Sequence, residues 1–199
     1  MNAVFLSASV PDLRRDPRYH SSADLVAIRD AVRALAAVVL PHATLHWGGH
    51  PAITPLVSVV ARSVGLTGAD RVRLYQSEWF PPEQRPTANE DFERIVLTSR
   101  RATLGESLHA MRETMLSATR FKAAIFIGGM EGVEDEFDIF RRLNPTAPVF
   151  PVASTGGAAG LLFERERRGL GLPDALLTEY AYPTLFRQLL DLPTFGGKG

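Results

Sequence analysis

The amino-acid sequence predicts a three-layer α/β protein in which helices cover both faces of a mostly parallel sheet. Short apolar runs alternate with longer amphipathic runs along the whole chain, which is typical of parallel strands joined by helices. Residues 123–127 form the most apolar run and have no polar face, which indicates a central strand buried on both sides. No repeat or low-complexity segment competes with this interpretation.

The predicted elements of the first half follow from apolar runs and from helix caps and breaks. Asp24 is expected in the first turn of helix one, and Thr54 and Pro55 are typical of an N-cap and a first helical position. The elements are strand 3–7, a helix from Ser21 or Ser22 to before Pro41, strand 43–47, a helix from Thr54 to Gly65, and strand 71–76.

The second half begins with a proline-rich connection through Pro81, Pro82 and Pro86, which we interpret as a surface excursion. After it, the sequence predicts strand 94–98, helix 107–118, strand 123–127, helix 133–143, strand 148–152, a helix that ends at Arg168, and a helical tail 173–190 broken at Pro183.

Length and composition indicate one domain over residues 1–199, since about 100 to 200 residues usually make one. The absence of cysteine excludes a disulfide scaffold, thiolate catalysis and Cys-ligated metals. The chain has 22 Lys and Arg residues in total and 22 Asp and Glu residues, so its formal net charge is zero. The general electrostatic attraction that brings basic proteins to nucleic acid or anionic membranes is therefore missing. Neither is expected as a partner.

The N-terminal apolar run stops at Ser7, which is too short for a signal peptide core of about 7 to 15 residues. The other apolar runs are far below the about 18 residues that span a bilayer. We therefore expect a cytoplasmic protein.

Three segments that follow predicted strands contain small residues, and they should meet at the carboxyl edge of the sheet. Ligands of open α/β sheets bind at this edge, where backbone N–H groups of glycine turns and helix N-termini favour an anion such as phosphate. The alternative is that the glycines only make tight turns. The segments are Ser7-Ala8-Ser9, Gly48-Gly49-His50-Pro51 and Gly128-Gly129-Met130-Glu131-Gly132.

Two charged residues fall on the apolar side of their predicted helices at about 100° per residue. Glu136 lies within the apolar arc of helix 133–143, where a carboxylate needs a partner or a role in binding or catalysis. The alternative is an acid placed at the helix start, where the helix dipole favours it. Arg112 lies in the apolar arc of helix 107–118 and points toward the sheet, where its guanidinium could clamp a phosphate. The alternative is an Arg whose head reaches solvent or pairs with a core acid.

Other chemical motifs are missing or weak. The five histidines show no metal-ligand spacing with carboxylates, so no metal or cofactor is predicted. The phosphate loop of kinases, the dinucleotide-binding fingerprint and the nucleophile elbow of hydrolases are also absent. The charged run Glu164-Arg165-Glu166-Arg167-Arg168 is interpreted as a solvated helix face.

These segments resemble the SLOG superfamily, the Rossmann-like fold shared by Smf/DprA proteins and LOG phosphoribohydrolases. The resemblance covers most of the chain and is best from the first strand through Leu143. Ser7-Ala8-Ser9 is similar to the loop after strand one, and Gly48-Gly49-His50-Pro51 to the glycine-rich second loop. Arg112 resembles the arginine of the helix before the signature strand. Residues 128–136 resemble the PGGxGTxEE signature of LOG enzymes, whose two Glu residues fall on Asp135 and Glu136.

The segment also differs from the LOG signature. Ile127 replaces its proline, Glu131 is inserted between glycines, and Val133 replaces its threonine. The amino-acid sequence of the loops looks more like the sirtuin- or TIR-associating branch of the SLOG superfamily. This resemblance implies binding of NAD-derived nucleotides such as ADP-ribose or cyclic ADP-ribose.

Two functions from different classes follow. In the first, the loops bind the phosphates of an ADP-ribose-like nucleotide, Arg112 clamps one phosphate, and Glu136 bonds a ribose hydroxyl. The protein is then a ligand sensor, expected as a homodimer or higher homo-oligomer with a separate effector protein. In the second, Glu136 and Arg112 are catalytic in a nucleoside 5′-monophosphate phosphoribohydrolase that cleaves the N-glycosidic bond. An oligomeric structural subunit is a third interpretation.

Overall fold

The computed structural model describes residues 2–66 and 71–192, and within them six parallel strands form one sheet. The strand order is β4-β3-β2-β1-β5-β6, and every neighbouring pair is parallel. The predicted α/β architecture with a parallel sheet is confirmed. The strands are β1 (Ala3–Ser9), β2 (Thr44–Trp47), β3 (Val72–Ser77), β4 (Ile95–Thr98), β5 (Ala123–Gly128) and β6 (Val149–Val152).

Helices connect the strands, as the alternating pattern predicted. Those of the described residues are α1 (Pro17–His20), α2 (Leu25–Val39), α3 (Thr54–Ser63), α4 (Leu104–Ser117), α5 (Glu131–Leu143), α6 (Gly157–Leu170), α7 (Ala175–Thr178) and α8 (Tyr182–Leu190). Short 3-10 turns occur at Pro82–Gln84, Thr87–Asp91 and Ala153–Thr155. No helix within residues 2–66 and 71–192 has the length and apolarity needed to cross a bilayer.

The sheet divides the core into two apolar layers, because alternate residues of a strand point to opposite faces. Val4, Leu6 and Ile125 pack on one face with α2, α3 and α8. Phe5 and Phe126 pack on the other face with α4 and α5. The helix α6 contributes to both layers at the β6 end of the sheet. Helices therefore cover both faces of the sheet.

The strand order places a topological switch point beside β1. From β1 the chain builds β2, β3 and β4 outward on one side, and β5 and β6 on the other. Ligands of open α/β sheets bind in the crevice outside the carboxyl ends of the strands at such a point. In this protein that crevice lies where β1 and β5 end, at Ser9 and Gly128.

Two segments that were predicted as loops lie partly within a strand or a helix. Ser7-Ala8-Ser9 was predicted as a loop, but β1 continues through Ser9 because this segment stays in register with β5 as far as Gly128. Helix α5 begins at Glu131, two residues before the predicted start, so Gly132 lies in its first turn.

Several predicted boundaries were wrong. Asp24 is the N-cap of α2, whose side chain accepts the N–H groups of Val26 and Ala27, so that helix begins later than predicted. Thr54 is the first residue of α3 and not its cap. Pro183 lies in the first turn of α8 and does not interrupt a helix, because the missing N–H of proline costs nothing there.

Candidate functional site

A cavity of about 440 Å³ opens at the carboxyl edge of β1, β2 and β3, beside the switch point. Its volume falls in the range of small-molecule sites, about 300 to 1,000 Å³. The predicted binding residues that line it are Ala8, Ser9, Gly48, Gly49, His50, Arg112, Met130, Gly132 and Glu136. Of the other predicted residues, Ser7 contacts the cavity indirectly through Glu136, Glu131 lines an adjoining cavity, and Gly128 and Gly129 line neither.

Glu136 projects from the second turn of α5 toward β1, and its side chain is only 15% exposed. Ser7 Oγ donates a hydrogen bond of 2.6 Å to Glu136 Oε2. Burial raises the pKa of the Glu136 carboxyl, while the Arg112 guanidinium and the Ser7 hydroxyl act in the opposite direction. Because dipole effects fall off within the first helical turn, its position does not support the alternative of a helix-start acid.

Arg112 approaches the same carboxylate from α4, with a side chain only 14% exposed. Its Nη1 donates to Asp135 Oδ2 at 2.9 Å, and its Nε lies 3.5 Å from Glu136 Oε1. Nε is buried and makes no hydrogen bond to residues 2–66 or 71–192. The guanidinium head is therefore held beside the cavity by two carboxylates.

The loop after β2 is anchored by a residue that the sequence analysis missed. Gln76 of β3 donates from Nε2 to the carbonyl oxygens of Gly48 and Gly49, both at 3.2 Å. Gly49 has φ +66°, and a Cβ there would lie 1.9 Å from Gln76 Nε2, so no larger residue fits. Its backbone is thus fixed where it meets the cavity.

His50 also lines the cavity. Burial lowers the pKa of His50, and its Nδ1 accepts the N–H of Ala52 at 3.2 Å. A neutral imidazole with Nδ1 as acceptor carries its proton on Nε2, so His50 can donate to a ligand from Nε2.

The glycines after β5 serve packing more than ligand contact. Gly128 has φ +57° and Gly129 has φ +86°, and a Cβ on Gly129 would lie 2.2 Å from Val133 Cγ2. Their backbone groups bond to the protein, because Gly128 N–H donates to Thr155 Oγ1 and Gly129 O accepts from Ala158 N–H. For this pair, the alternative of glycines that make tight turns fits the contacts.

Gly132 has a different reason to be glycine. A Cβ at this position would lie 2.9 Å from Arg112 Nη2. Any side chain would push the guanidinium away from its place between α4 and α5.

The proline-rich connection forms one wall of the cavity, in addition to being a surface excursion. Phe80, Gln84 and Pro86 line the cavity, and Arg85 Nε holds the segment by donating to the Phe80 carbonyl at 3.0 Å. The aromatic pair Trp79-Phe80 within this polar stretch was the available signal. Other lining residues that were not predicted as site residues are Leu6, Arg15, Trp47, Pro51, Ile53, Gln76, Ser77, Leu104, Leu108, Met111 and Val133.

The protein is a Rossmann-like α/β protein, as its parallel sheet and its cavity at the switch point show. The paired Arg112 and Glu136 give this cavity a polar wall. In the part of the chain that the structure describes, no group of three or more His, Asp or Glu residues is placed to hold a metal ion. The chain belongs to the SLOG cluster3 family, whose model matches residues 18–190. The resemblance to the SLOG superfamily is confirmed, and a nucleotide-related function follows in general terms.

Solved structures agree on the fold. The X-ray structure of TM1055, a structural genomics target, matches with a TM-score of 0.58 and 19% sequence identity, over 82% of this chain and 81% of that one. At this identity the similarity shows the fold alone. No curated protein matches the chain.

Proposed function

We propose that this protein is a sensor of a nucleotide derived from NAD, such as ADP-ribose or a cyclic isomer. The ligand occupies the cavity at the carboxyl edge, with a phosphate at Arg112 and a ribose hydroxyl at Glu136. The single observation that supports this most is the Arg112 guanidinium, which lines the cavity with its side chain 14% exposed and is held there by Asp135 and Glu136. A guanidinium that is fixed in place at a cavity presents a planar fork of donors to a phosphate.

The chemistry of the remaining wall fits a nucleoside. Trp47, Phe80, Leu108 and Met111 provide apolar and aromatic surface for a base, while Ser9 and His50 provide polar groups. Met130 adds polarizable surface, and its sulfur accepts the N–H of Asp12 at 3.4 Å.

Thermal unfolding tests the proposal, because any ligand that binds only the folded state raises its stability. ADP-ribose or cyclic ADP-ribose is expected to raise the Tm, whereas free adenine, which lacks phosphate, is not. A broad panel of nucleotides without any shift at millimolar concentration would overturn the proposal.

A phosphoribohydrolase is the second candidate, favoured by the Glu136 carboxyl that contacts both Ser7 and Arg112. A carboxylate in this position could stabilise the oxocarbenium-like transition state of N-glycosidic cleavage, with Arg112 fixing the 5′-phosphate. We expect no cleavage, since Ile127 at the end of β5 and Glu131 and Val133 in the first turn of α5 change the segment that would position the substrate.

Incubation with AMP followed by chromatography separates the two candidates. A hydrolase releases adenine and ribose 5-phosphate, and Glu136→Gln abolishes the release while preserving binding, because Gln keeps the size and loses the charge. Release of adenine that depends on Glu136 would show that the protein is a phosphoribohydrolase and would overturn the sensor proposal.

We further propose that the sensor acts as a homodimer or higher oligomer and signals to a separate effector protein. Light scattering of the purified chain with and without ADP-ribose tests the oligomer, and a monomer under both conditions would contradict it.

A further inference from the structure

Strand β4 forms one edge of the sheet, and within residues 2–66 and 71–192 it pairs with β3 alone. The carbonyl oxygens of Arg94 and Thr98 accept N–H groups from β3 and the residue after it, at 3.1 and 2.9 Å. In this parallel ladder every second residue of β4 turns its backbone groups toward β3. The N–H and C=O groups of Ile95 and Leu97 therefore point away from the sheet.

The side chains of the same two residues form an exposed apolar pair. Ile95 is 37% exposed and Leu97 is 47% exposed, and they share one face because alternate residues of a strand point the same way. Residues 95–98 include no lysine or proline, with which proteins commonly protect an edge strand. This edge thus offers unpaired backbone groups and apolar surface at the same positions.

Exposed charges of opposite sign lie beyond the two ends of β4. Glu93 precedes the strand and Arg101 follows it, and neither side chain has a charged partner within residues 2–66 and 71–192. The other two arginines nearby are engaged, since Arg94 interacts within its own chain and the Arg100 guanidinium lies 4.3 Å from the Trp79 ring centre. A strand of the same sequence, running antiparallel to β4, would bring each of the two free charges near its opposite.

From these features we infer that β4 pairs antiparallel with β4 of a second copy of this chain, so that the two sheets join into one. The two-fold axis passes beside Val96. Ile95 of each copy lies opposite Leu97 of the other, and the outward N–H and C=O groups of these residues exchange hydrogen bonds. The same register brings Glu93 of each copy near Arg101 of the other. Such a pairing of one surface with itself closes at two copies.

The inference rests on the oligomer proposed above and gives its interface. Nucleotide binding does not depend on it, because no residue from 93 to 101 lines the cavity at the carboxyl edge. Dimer formation and nucleotide binding can therefore fail separately.

The first test blocks the edge without breaking the sheet. Proline at position 97 removes an N–H that does not bond to β3, and edge strands tolerate proline at such positions. In sedimentation velocity over a concentration series, wild type is expected to form a dimer, whereas Leu97→Pro stays a monomer. Leu97→Lys is expected to stay a monomer as well, and it keeps the backbone N–H in case the proline variant does not fold. Leu177→Lys is the control, since Leu177 is also 40% exposed but lies in α7, and it should still form the dimer.

The second test exchanges the charges at the ends of the strand. Glu93→Arg and Arg101→Glu are each expected to weaken the dimer, because each brings like charges together. The double variant Glu93→Arg/Arg101→Glu restores opposite charges and should recover the dimer. Absence of recovery would overturn the antiparallel register.

Amide hydrogen exchange measured by NMR examines the edge in wild type. The N–H groups of Ile95 and Leu97 should be protected in the dimer and exchange faster on dilution, while the Val96 N–H, which faces β3, stays protected. A dimer that persists in both Leu97 variants would overturn this inference and leave the oligomer proposal intact. A wild-type monomer at every concentration would overturn both, while a Tm shift with ADP-ribose would still support nucleotide binding.

Discussion

Glu136 combines burial with charge, and both features could be predicted from the sequence. Helical periodicity placed it among apolar residues, and the resemblance to the LOG signature selected the same residue independently. In the structure its side chain is 15% exposed, and it contacts Ser7 and Arg112. The partner Ser7 could not be predicted in the same way, because the bond joins residues 129 positions apart and depends on how α5 packs on β1.

Glu136→Gln is expected to stabilise the protein without ligand at alkaline pH. Burial raises the pKa of Glu136 above 4.5, so its contribution to stability is present below that pH and lost as pH rises through the higher folded value. Gln stays neutral, and its amide oxygen can still accept the Ser7 hydroxyl. The free energy of unfolding in urea should therefore exceed that of wild type at about pH 8, and the excess should shrink toward pH 4.

Glu164→Gln is the control, because the Glu164 side chain is 61% exposed and lies away from the cleft. It should change stability little at either pH. A Glu136→Gln protein less stable than wild type at alkaline pH would show that the pair with Arg112 outweighs the cost of burial.

His46 is a buried histidine whose environment makes it a structural residue. It stacks on Tyr75, meets Phe121 edge to face, and lies 3.3 Å from the Tyr75 hydroxyl. Burial lowers the pKa of His46 to about 4. The unfolded chain then binds more protons between pH 4 and 6.5, so stability falls as pH drops through this window.

The loss should reach about 3 kcal/mol, since one pKa unit corresponds to about 1.4 kcal/mol. Denaturant unfolding across this window should show the loss in wild type and in His109→Gln, whose side chain is 62% exposed in wild type. His46→Gln removes the titrating group and should flatten this part of the profile. An unchanged slope in His46→Gln would assign the acid sensitivity to other groups.

At the scale of elements, helix starts were predicted less well than helix faces. Helix α4 begins at Leu104, three residues before the predicted start, because Thr103 and Glu106 form a capping box. The T-x-x-E pattern stands in the sequence and could have given the boundary. The proline-rich wall was not predicted as part of the site, because its segment has no periodicity and its aromatic pair Trp79-Phe80 was the one signal in it.

Thr103→Ala should lower the free energy of unfolding by about 1 kcal/mol, the usual cost of losing an N-cap. The Thr103 side chain accepts the N–H of Glu106, and Glu106 in turn accepts the N–H of Thr103. Thr114→Ala in the same helix is the matched control, since the exposed Thr114 hydroxyl donates to the carbonyl of Ala110 one turn earlier and does not cap the helix. Equal effects of the two substitutions on urea unfolding would argue against a stabilising cap.

At the scale of the whole molecule, the sequence predicted the sheet and the edge at which the cavity opens, but not the strand order. The order depends on pairing between distant segments, such as β1 with β5, which periodicity within each strand does not encode. That pairing brings the end of β1 beside the start of α5 and so creates the switch-point cleft. Helical periodicity could place Arg112 and Glu136 on the inward faces of their helices. Their mutual contact could not be predicted, because it follows from the packing of α4 against α5.

Arg112 is the residue to which the proposed function assigns the ligand phosphate. Calorimetric titration of ADP-ribose into wild type, Arg112→Ala and Arg112→Lys tests this most directly, with Arg120→Ala as an exposed control. Arg112→Ala is expected to weaken binding by about 1.5 to 3 kcal/mol, the range for a hydrogen bond to a charged group. Arg112→Lys should recover only part of the loss, because a point charge cannot replace the planar fork. Equal affinity of wild type and Arg112→Ala would contradict the account.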